Sequence, residues 1–416
     1  MSVRTGYSIC MKFAWNLETV FYTMLLFIPL PIIGKAMNFP ETFIFLTACL
    51  AIVPLAWLMG RATEYLADRV GVGVGGLLNA TFGNACELII AIAALRAGLI
   101  DVVKASITGS IIGNILLVLG GSMLAGGMRY QIQTFNRTAA TTSATLLALA
   151  AISLCVPAVF HLTAARGGSH NDERLALVIA IVQFSTYLAS LYFSLKTHKH
   201  LYQFPDEEEA ASDKSLSEPS QELFGDIEDE SNAEENKTSE ESERVSDERS
   251  DEIADSTTQV NEEKAWGLSK SITVLLVATV AVAVLSEYLV HAVEGAASSL
   301  GMSRLFIGVV LVAIVGNAAE HSTAISMALK NKMDLSINIA LGSGAQIALF
   351  VAPVIVFASF IMGTPINLCF SEVEVLAVVV SVIILSFVAT DGECNWLEGV
   401  QLLAVYAILA AAFYFA

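Results

Sequence analysis

Apolar residues in this chain gather into windows long enough to cross a bilayer as helices, which takes about 20 residues at 1.5 Å rise each for roughly 30 Å of hydrocarbon. Six such windows begin near Glu18, Glu41, Val74, Val102, Thr138 and Glu173. After a long acidic interval, five more begin near Ser269, Arg304, Leu335, Val373 and Trp396, the last running to Ala416. The breaks between windows are short and carry turn and charge signals, such as Arg69 to Gly73, Gly126 to Tyr130, Gly167 to His170 and Asp391 to Glu393. The pattern predicts an all-α integral membrane protein with eleven transmembrane helices.

Composition agrees. The chain is 55% hydrophobic and 15% charged, with a mean hydropathy of +0.66, which leaves too little polar surface for an ordinary soluble domain. The net charge of −18 has a local origin. Asp206–Glu263 holds 23 Asp and Glu against four Lys and Arg, a net of −19, so the remainder is close to neutral. The acidity argues against a nucleic-acid partner and says nothing about the membrane body. This stretch has almost no aromatic residues and cannot offset its ordering entropy, so it reads as largely disordered. It serves either as a solvated tether or as a low-affinity cation collector or regulatory segment.

Lys and Arg near the window ends orient the chain. With the N-terminus on face A, twelve fall on A and six on the opposite face B. Face A is therefore expected to be cytoplasmic, together with the acidic loop. The six cysteines are scattered without CxxC or zinc-finger spacing, so neither a disulfide framework nor a zinc site is implied. Near the N-terminus no small-residue cleavage site follows the first apolar window, which reads as a retained span.

Sliding the chain on itself gives a gap-free match at an offset of 233. Across residues 75–118, 14 of 44 positions are identical, among them Gly83, Asn84, Ala85, Glu87, Gly109 and Ser110. Polar and backbone-special residues inside hydrophobic windows are not what generic apolar matching selects. Five helices separate the copies, an odd number, so they cross the membrane in opposite senses: an inverted-topology repeat of the kind used by alternating-access transporters. The predicted organisation is residues 1–40 as an extra N-terminal helix, 41–198 as a first five-helix repeat, 199–266 as the acidic cytoplasmic loop and 267–416 as a second five-helix repeat.

Glu87 and Glu320 fall near the bilayer midplane, where an ionisable group persists only if it faces the bundle interior and has a partner. Each has an asparagine one turn earlier on the same face, Asn84 and Asn317. Gly83 and Gly316 just before them are expected to weaken or kink the helices and free backbone carbonyls. Ser110, Asn114, Ser343 and Gln346 add further oxygens. An all-oxygen set with two carboxylates suits Ca²⁺, whereas softer metals want His or Cys. Without a cation, two facing carboxylates in a low dielectric cannot comfortably both be ionised, so cation and proton compete for one place. No GxxxxGK[ST] nucleotide loop occurs.

The segments LLNATFGNACELIIAI, GSIIGNILLVLG, GNAAEHSTAISMAL and GSGAQIALFVAP closely resemble the signature repeats of the calcium/cation–proton exchangers, the CAX family of the Ca²⁺/cation antiporter superfamily. The resemblance implies a Ca²⁺/H⁺ antiporter, a secondary active transporter rather than an enzyme, with no cofactor and with Ca²⁺, H⁺ and the lipid bilayer as its partners. It implies Glu87 and Glu320 as the Ca²⁺ and H⁺ ligands, surrounded by Asn84, Asn317, Ser110, Ser343 and Gln346, with the second and seventh spans as a sliding gate. One departure stands out: the position matching Gln346 in the first repeat is Gly113, and Asn114 is the candidate replacement oxygen. His321 also belongs to the family pattern, but it points about 100° away from Glu320, which leaves packing, a hydrogen bond or a proton relay open.

Glu64, Asp68, Glu287, Glu294, Glu372 and Glu374 read first as interfacial residues and second as a cation funnel. His198 and His200 read as surface histidines. A Na⁺-coupled or K⁺-dependent Ca²⁺ exchanger, or a cation/H⁺ exchanger preferring Mn²⁺, remain alternatives, as do an intramembrane hydrolase and a passive channel. The expected location is a prokaryotic plasma membrane, or a vacuolar membrane if the source is eukaryotic.

Overall fold

The computed structural model describes residues 18–70, 75, 78–79, 81–164, 172–198 and 266–416. The acidic segment, Gly76 and His200 lie outside the described residues, as do Arg4, Lys12, Arg166, Lys199 and Lys264 of the charge count and the side chain of Asp68.

The described chain is almost entirely helical. We label its helices α1 (Glu18–Ala36), α2 (Glu41–Val70), α3 (Ala85–Arg96), α4 (Ile100–Gly127), α5 (Arg137–Ala164), α6 (Asp172–Thr197), α7 (Leu268–Leu300), α8 (Arg304–Gly316), α9 (Ala318–Leu329), α10 (Met333–Ile361), α11 (Glu372–Val388) and α12 (Trp396–Phe415). Eight of these are long and apolar enough to span a bilayer, and α8 with α9 makes a ninth span bent by 62°. The expected eleven are thus not all delineated among the described residues. α11 is 17 residues long, and α3 is a 12-residue helix beginning at a break. Apolar side chains project outward along these helices, Leu26, Leu276, Val277, Phe387 and Ile408 among them, as a lipid-facing surface requires. Pro54 and Pro157 lie inside α2 and α5, which membrane helices tolerate.

Hydrogen bonds between loops define the two faces. On face A, the strand β1 (Gln133–Thr134) pairs antiparallel with β2 (Glu393–Cys394). Gln133 Nε2 donates to Ala328 O at 2.9 Å and to Asn331 Oδ1 at 3.0 Å. The α4–α5, α9–α10 and α11–α12 connections therefore share one face. On face B, Lys104 Nζ donates to Asn367 Oδ1 at 2.7 Å and to Cys369 O at 2.8 Å. It follows that α3 runs from A to B and α9 from B to A, so the two motif copies cross in opposite directions.

Two surface pairs bridge the elements at face B: Arg96–Glu287 at 3.4 Å and Arg304–Glu294 at 3.1 Å, all four side chains more than half exposed. Such pairs add little stability, which agrees with the interfacial reading of both glutamates. Glu374 departs from that reading. It is buried, forms a capping box with Ser371 at the start of α11 and accepts from Thr108 at 3.3 Å. The cap satisfies helix-terminal N–H groups, and its Ser-x-x-Glu spacing is a local signature that the interfacial reading passes over.

The site is assembled by one close crossing. α4 meets α8 where Gly109 and Gly308 remove the side chains between the backbones: a Cβ on Gly109 would lie 2.1 Å from Val309 O, and one on Gly308 would lie 2.5 Å from the Ala105 Cβ. Small residues let membrane helices approach this closely. α2 and α7 pack against each other along their lengths beside this core.

Gly109→Val should destabilise the protein by about 3 kcal/mol through overpacking. Gly121→Ala, whose added Cβ would meet Ile325 at an ordinary 3.6 Å, should be neutral. Thermal unfolding in detergent compares the two, and equal melting temperatures would show that the crossing is not needed.

Candidate functional site

Each copy of the Gly-Asn-Ala-x-Glu motif interrupts its helix at the asparagine. Asn84 has φ −103°, ψ 19°, and Asn317 has φ −91°, ψ 14°, both off the helical well, and α3 and α9 restart immediately after them. The break releases the side chains from the regular helical spacing and lets Glu87 and Glu320 open the first turn of a new helix, where a carboxylate is favoured by the helix dipole. Gly316 has a further role that the sequence reading assigned to kinking alone: a Cβ there would stand 3.1 Å from Glu87 Cγ and 3.3 Å from Glu87 Oε1. The glycine of the second repeat leaves room for the acid of the first.

A continuous network joins the polar residues of both copies. Asn84 donates its amide to Gln346 Oε1, and Ser343 Oγ donates to Asn84 Oδ1 at 3.4 Å. Asn114 Nδ2 donates to Ser343 Oγ at 3.0 Å and to Asn317 Oδ1 at 3.1 Å. Asn317 Nδ2 donates to Ser110 Oγ at 2.9 Å and to Ala313 O at 2.9 Å. Asn114 is thus the bridge between α9 and α10, and its own Oδ1 is buried without a hydrogen-bond partner among the described residues. Gly113 contributes no oxygen, and the residue after it takes that place.

Glu87 is buried, and both of its carboxylate oxygens lack a hydrogen-bond partner among the described residues. An ionised carboxylate in that condition is costly, so the group calls for a proton or a cation. Glu87 shares its space with Ser106 and Ser110, and Asn114 is tied to Ser343 and Asn317, so the groups around the orphaned oxygens are hydroxyls and amides, a hard-ligand chemistry.

The two acids differ in access. Glu87 borders a space of about 10 Å³, room for one water at most, walled mainly by Ile90, Ile107, Val312 and Ile355 with Ser106 and Ser110. Glu320 borders a cavity of about 300 Å³ shared with Asn84, Ser343 and Gln346. This vestibule extends past Glu64, Asn79, Thr323 and Asn338, residues toward the face A ends of their helices. Arg61 lines it too, its guanidinium donating to Glu18 at 2.6 Å and lying 5.5 Å from the Trp57 ring centre.

The sequence does not single out Asn79, Thr323 and Asn338, while Glu64, interfacial on the first reading and part of a cation funnel on the second, lies in the vestibule wall. A signal was present for one stripe: Asn338, Gly342 and Gln346 recur every four residues along α10. His321 lines neither cavity. A second shared feature was not visible in the sequence at all. α4 and α10 each loosen into a π-helical segment, Gly113–Val118, which contains Asn114, and Ile347–Val351, which follows Gln346. Such segments are frequent at functional sites because they re-aim side chains within a helix.

Known proteins carry the same plan. The chain is 44% identical over 400 residues to the Ca(2+)/H(+) antiporter of Aphanothece halophytica, covering 96% of this chain and 97% of that one. It is 35% identical to the vacuolar calcium ion transporter of Schizosaccharomyces pombe, covering 96% and 85% of the two chains. Among solved structures, native YfkE superposes with a TM-score of 0.73 at 37% identity, covering 95% of this chain and all of that one. The family described as sodium/calcium exchanger protein matches residues 41–196 and 270–415, which takes in both motif copies and every residue of the network. This chain belongs to the sodium/calcium exchanger protein family.

Proposed function

We propose that this protein exchanges Ca²⁺ for H⁺ across its membrane by alternating access, with Glu87 and Glu320 as the shared place for either ion. The observation that carries this reading is the pair of partnerless carboxylate oxygens on Glu87 inside a network that ties both repeats together. Ca²⁺ takes six to eight oxygens in flexible geometry. Glu87, Glu320, Asn84, Asn317, Ser110, Asn114, Ser343 and Gln346 offer that number, with the network holding them ready.

Loading from the vestibule places Ca²⁺ against Glu320 and the orphaned oxygens and displaces the protons that neutralise them. After the vestibule closes and the other side opens, protons return to the carboxylates, the ion loses its charge partners and departs. No nucleotide enters this cycle. α2 lines the vestibule and packs along α7, which supports these two helices as the moving part. Face A, richer in Lys and Arg, is taken as cytoplasmic, so the vestibule loads Ca²⁺ from the cytosol for export. A vacuolar membrane fits the printed name of the Schizosaccharomyces pombe relative, and a prokaryotic plasma membrane is the other location this reading allows. Hydrolysis by the two acids has less support, since the groups around them are amides and hydroxyls suited to ligation. Na⁺ coupling and a preference for Mn²⁺ are separated from this reading by experiment.

Glu87→Gln and Glu320→Gln should each reduce proton-gradient-driven uptake of radiolabelled Ca²⁺ into everted vesicles at least a hundredfold, without loss of folded protein. Near-normal flux in either would defeat the site, and uptake driven by a Na⁺ gradient at fixed pH would overturn proton coupling. Because proton and cation exclude each other, acidifying the loading side should weaken apparent Ca²⁺ affinity, about tenfold per pH unit for each proton displaced; a flat affinity would contradict competition. Gly316→Ala presses a methyl against Glu87 and should weaken Ca²⁺ affinity roughly tenfold, about 1.4 kcal/mol, read as a raised KM in the same assay.

A further inference from the structure

Face B carries a cluster that the transport site does not use. His161 lies in the last turn of α5, Asp172 opens α6 and Cys369 lies in the connection between α10 and α11. A ligand atom from each, an imidazole nitrogen, a carboxylate oxygen and a thiol sulfur, falls within 4.8 Å of the other two. The cysteine spacing gave no hint of this, because the three come from separate elements more than two hundred residues apart at the extremes.

The arrangement is held from several sides. Lys104 fixes the loop by donating to Cys369 O, and Cys369 Sγ contacts Pro157 O at 3.6 Å, one turn before His161. Asp172 Oδ2 lies 2.6 Å from His161 Nδ1. Its second oxygen, Oδ1, is buried without a hydrogen-bond partner among the described residues. A plain His–Asp pair uses one carboxylate oxygen and leaves that buried orphan unsatisfied, with the thiol beside it turned to Pro157 O. A metal ion uses all three groups.

We propose that His161, Asp172 and Cys369 form a binding site for a borderline-soft divalent cation of the Zn²⁺ class, separate from the oxygen-only transport site and on the opposite face from the Glu320 vestibule. Zinc binds N, S and O donors tetrahedrally at roughly 2.0–2.3 Å, which sets ligand atoms about 3.3–3.8 Å apart. The His161–Asp172 contact of 2.6 Å is shorter than that spacing and the outer bound of 4.8 Å is longer, so binding requires the three side chains to turn. Exposed His161 leaves the fourth position to solvent. Ca²⁺ prefers oxygen alone and does not compete well for imidazole and thiolate. The ion would join the ends of two first-repeat helices to a second-repeat loop.

The test is metal binding by the purified full-length protein. Zn²⁺ affinity is read by competition with a chromophoric chelator, and Co²⁺ by its sulfur-to-metal charge-transfer absorption in the near ultraviolet. The parent and Glu320→Gln should each bind one equivalent at this site. His161→Ala and Cys369→Ser should bind it at least tenfold more weakly, and Cys369→Ser should lose the sulfur band. In the unmutated chain, where folding is not at issue, Zn²⁺ should slow alkylation of Cys369, mapped by mass spectrometry. Undiminished Zn²⁺ binding in Cys369→Ser, binding lost in Glu320→Gln, or an alkylation rate indifferent to Zn²⁺ would each overturn the proposal. Failure of Ca²⁺/H⁺ exchange would leave these results unchanged.

Discussion

A carboxylate taken out of water must be neutralised, paired or bound to an ion, and the architecture of this protein is organised around that requirement. Glu87 is enclosed with neither of its oxygens hydrogen-bonded among the described residues. Everything near it works to keep it there without satisfying it. Gly316 withholds a side chain that would press on the carboxyl, and the amides of Asn114 and Asn317 spend their hydrogens on each other's neighbours and not on the acid. The result is a place whose ground state is incomplete, which is what an ion carrier needs.

Placing Glu87 and Glu320 at the starts of new helices requires backbone that departs from the helix inside the membrane. The chain manages this by breaking α3 and α9 at asparagines, whose side chains enter the network, and by loosening α4 and α10 into π-helical turns after Ser110 and Ser343. Irregular backbone at membrane depth is tolerable only where protein or a water-filled cavity surrounds it, and here it is enclosed by both repeats. The Gly109–Gly308 crossing draws the halves close enough for amide-to-amide and amide-to-hydroxyl bonds of about 3 Å across them.

The two copies are alike in sequence but unequal in surroundings. Glu320 meets a vestibule wide enough for a hydrated ion, and Glu87 meets a space for a single water. Part of the inequality is written into composition, since Gln346 has glycine as its counterpart and Asn114 has isoleucine. Part belongs to the conformation, because α2 contributes Trp57, Gly60, Arg61 and Glu64 to one cavity and nothing to the other. In inverted-repeat transporters, exchange of the two conformations between the halves is the physical basis of alternating access.

Long apolar windows made the membrane class and helical fold legible in the sequence, because hydropathy over about 20 residues is a local property. The self-match made Glu87, Glu320 and their flanking Asn and Ser residues legible for a similar reason: polar groups are costly inside lipid, so each one that persists announces a task. Asn114 was legible as a candidate but not as the bridge, since its role rests on donors and acceptors from α9 and α10. The vestibule walls at Asn79 and Thr323, the contact of Glu374 with Thr108, and the meeting of His161 with Asp172 and Cys369 were decided by tertiary structure alone. These depend on which helix ends share a face and how closely two helices cross, quantities set by packing between distant segments and carried by no single stretch of the chain.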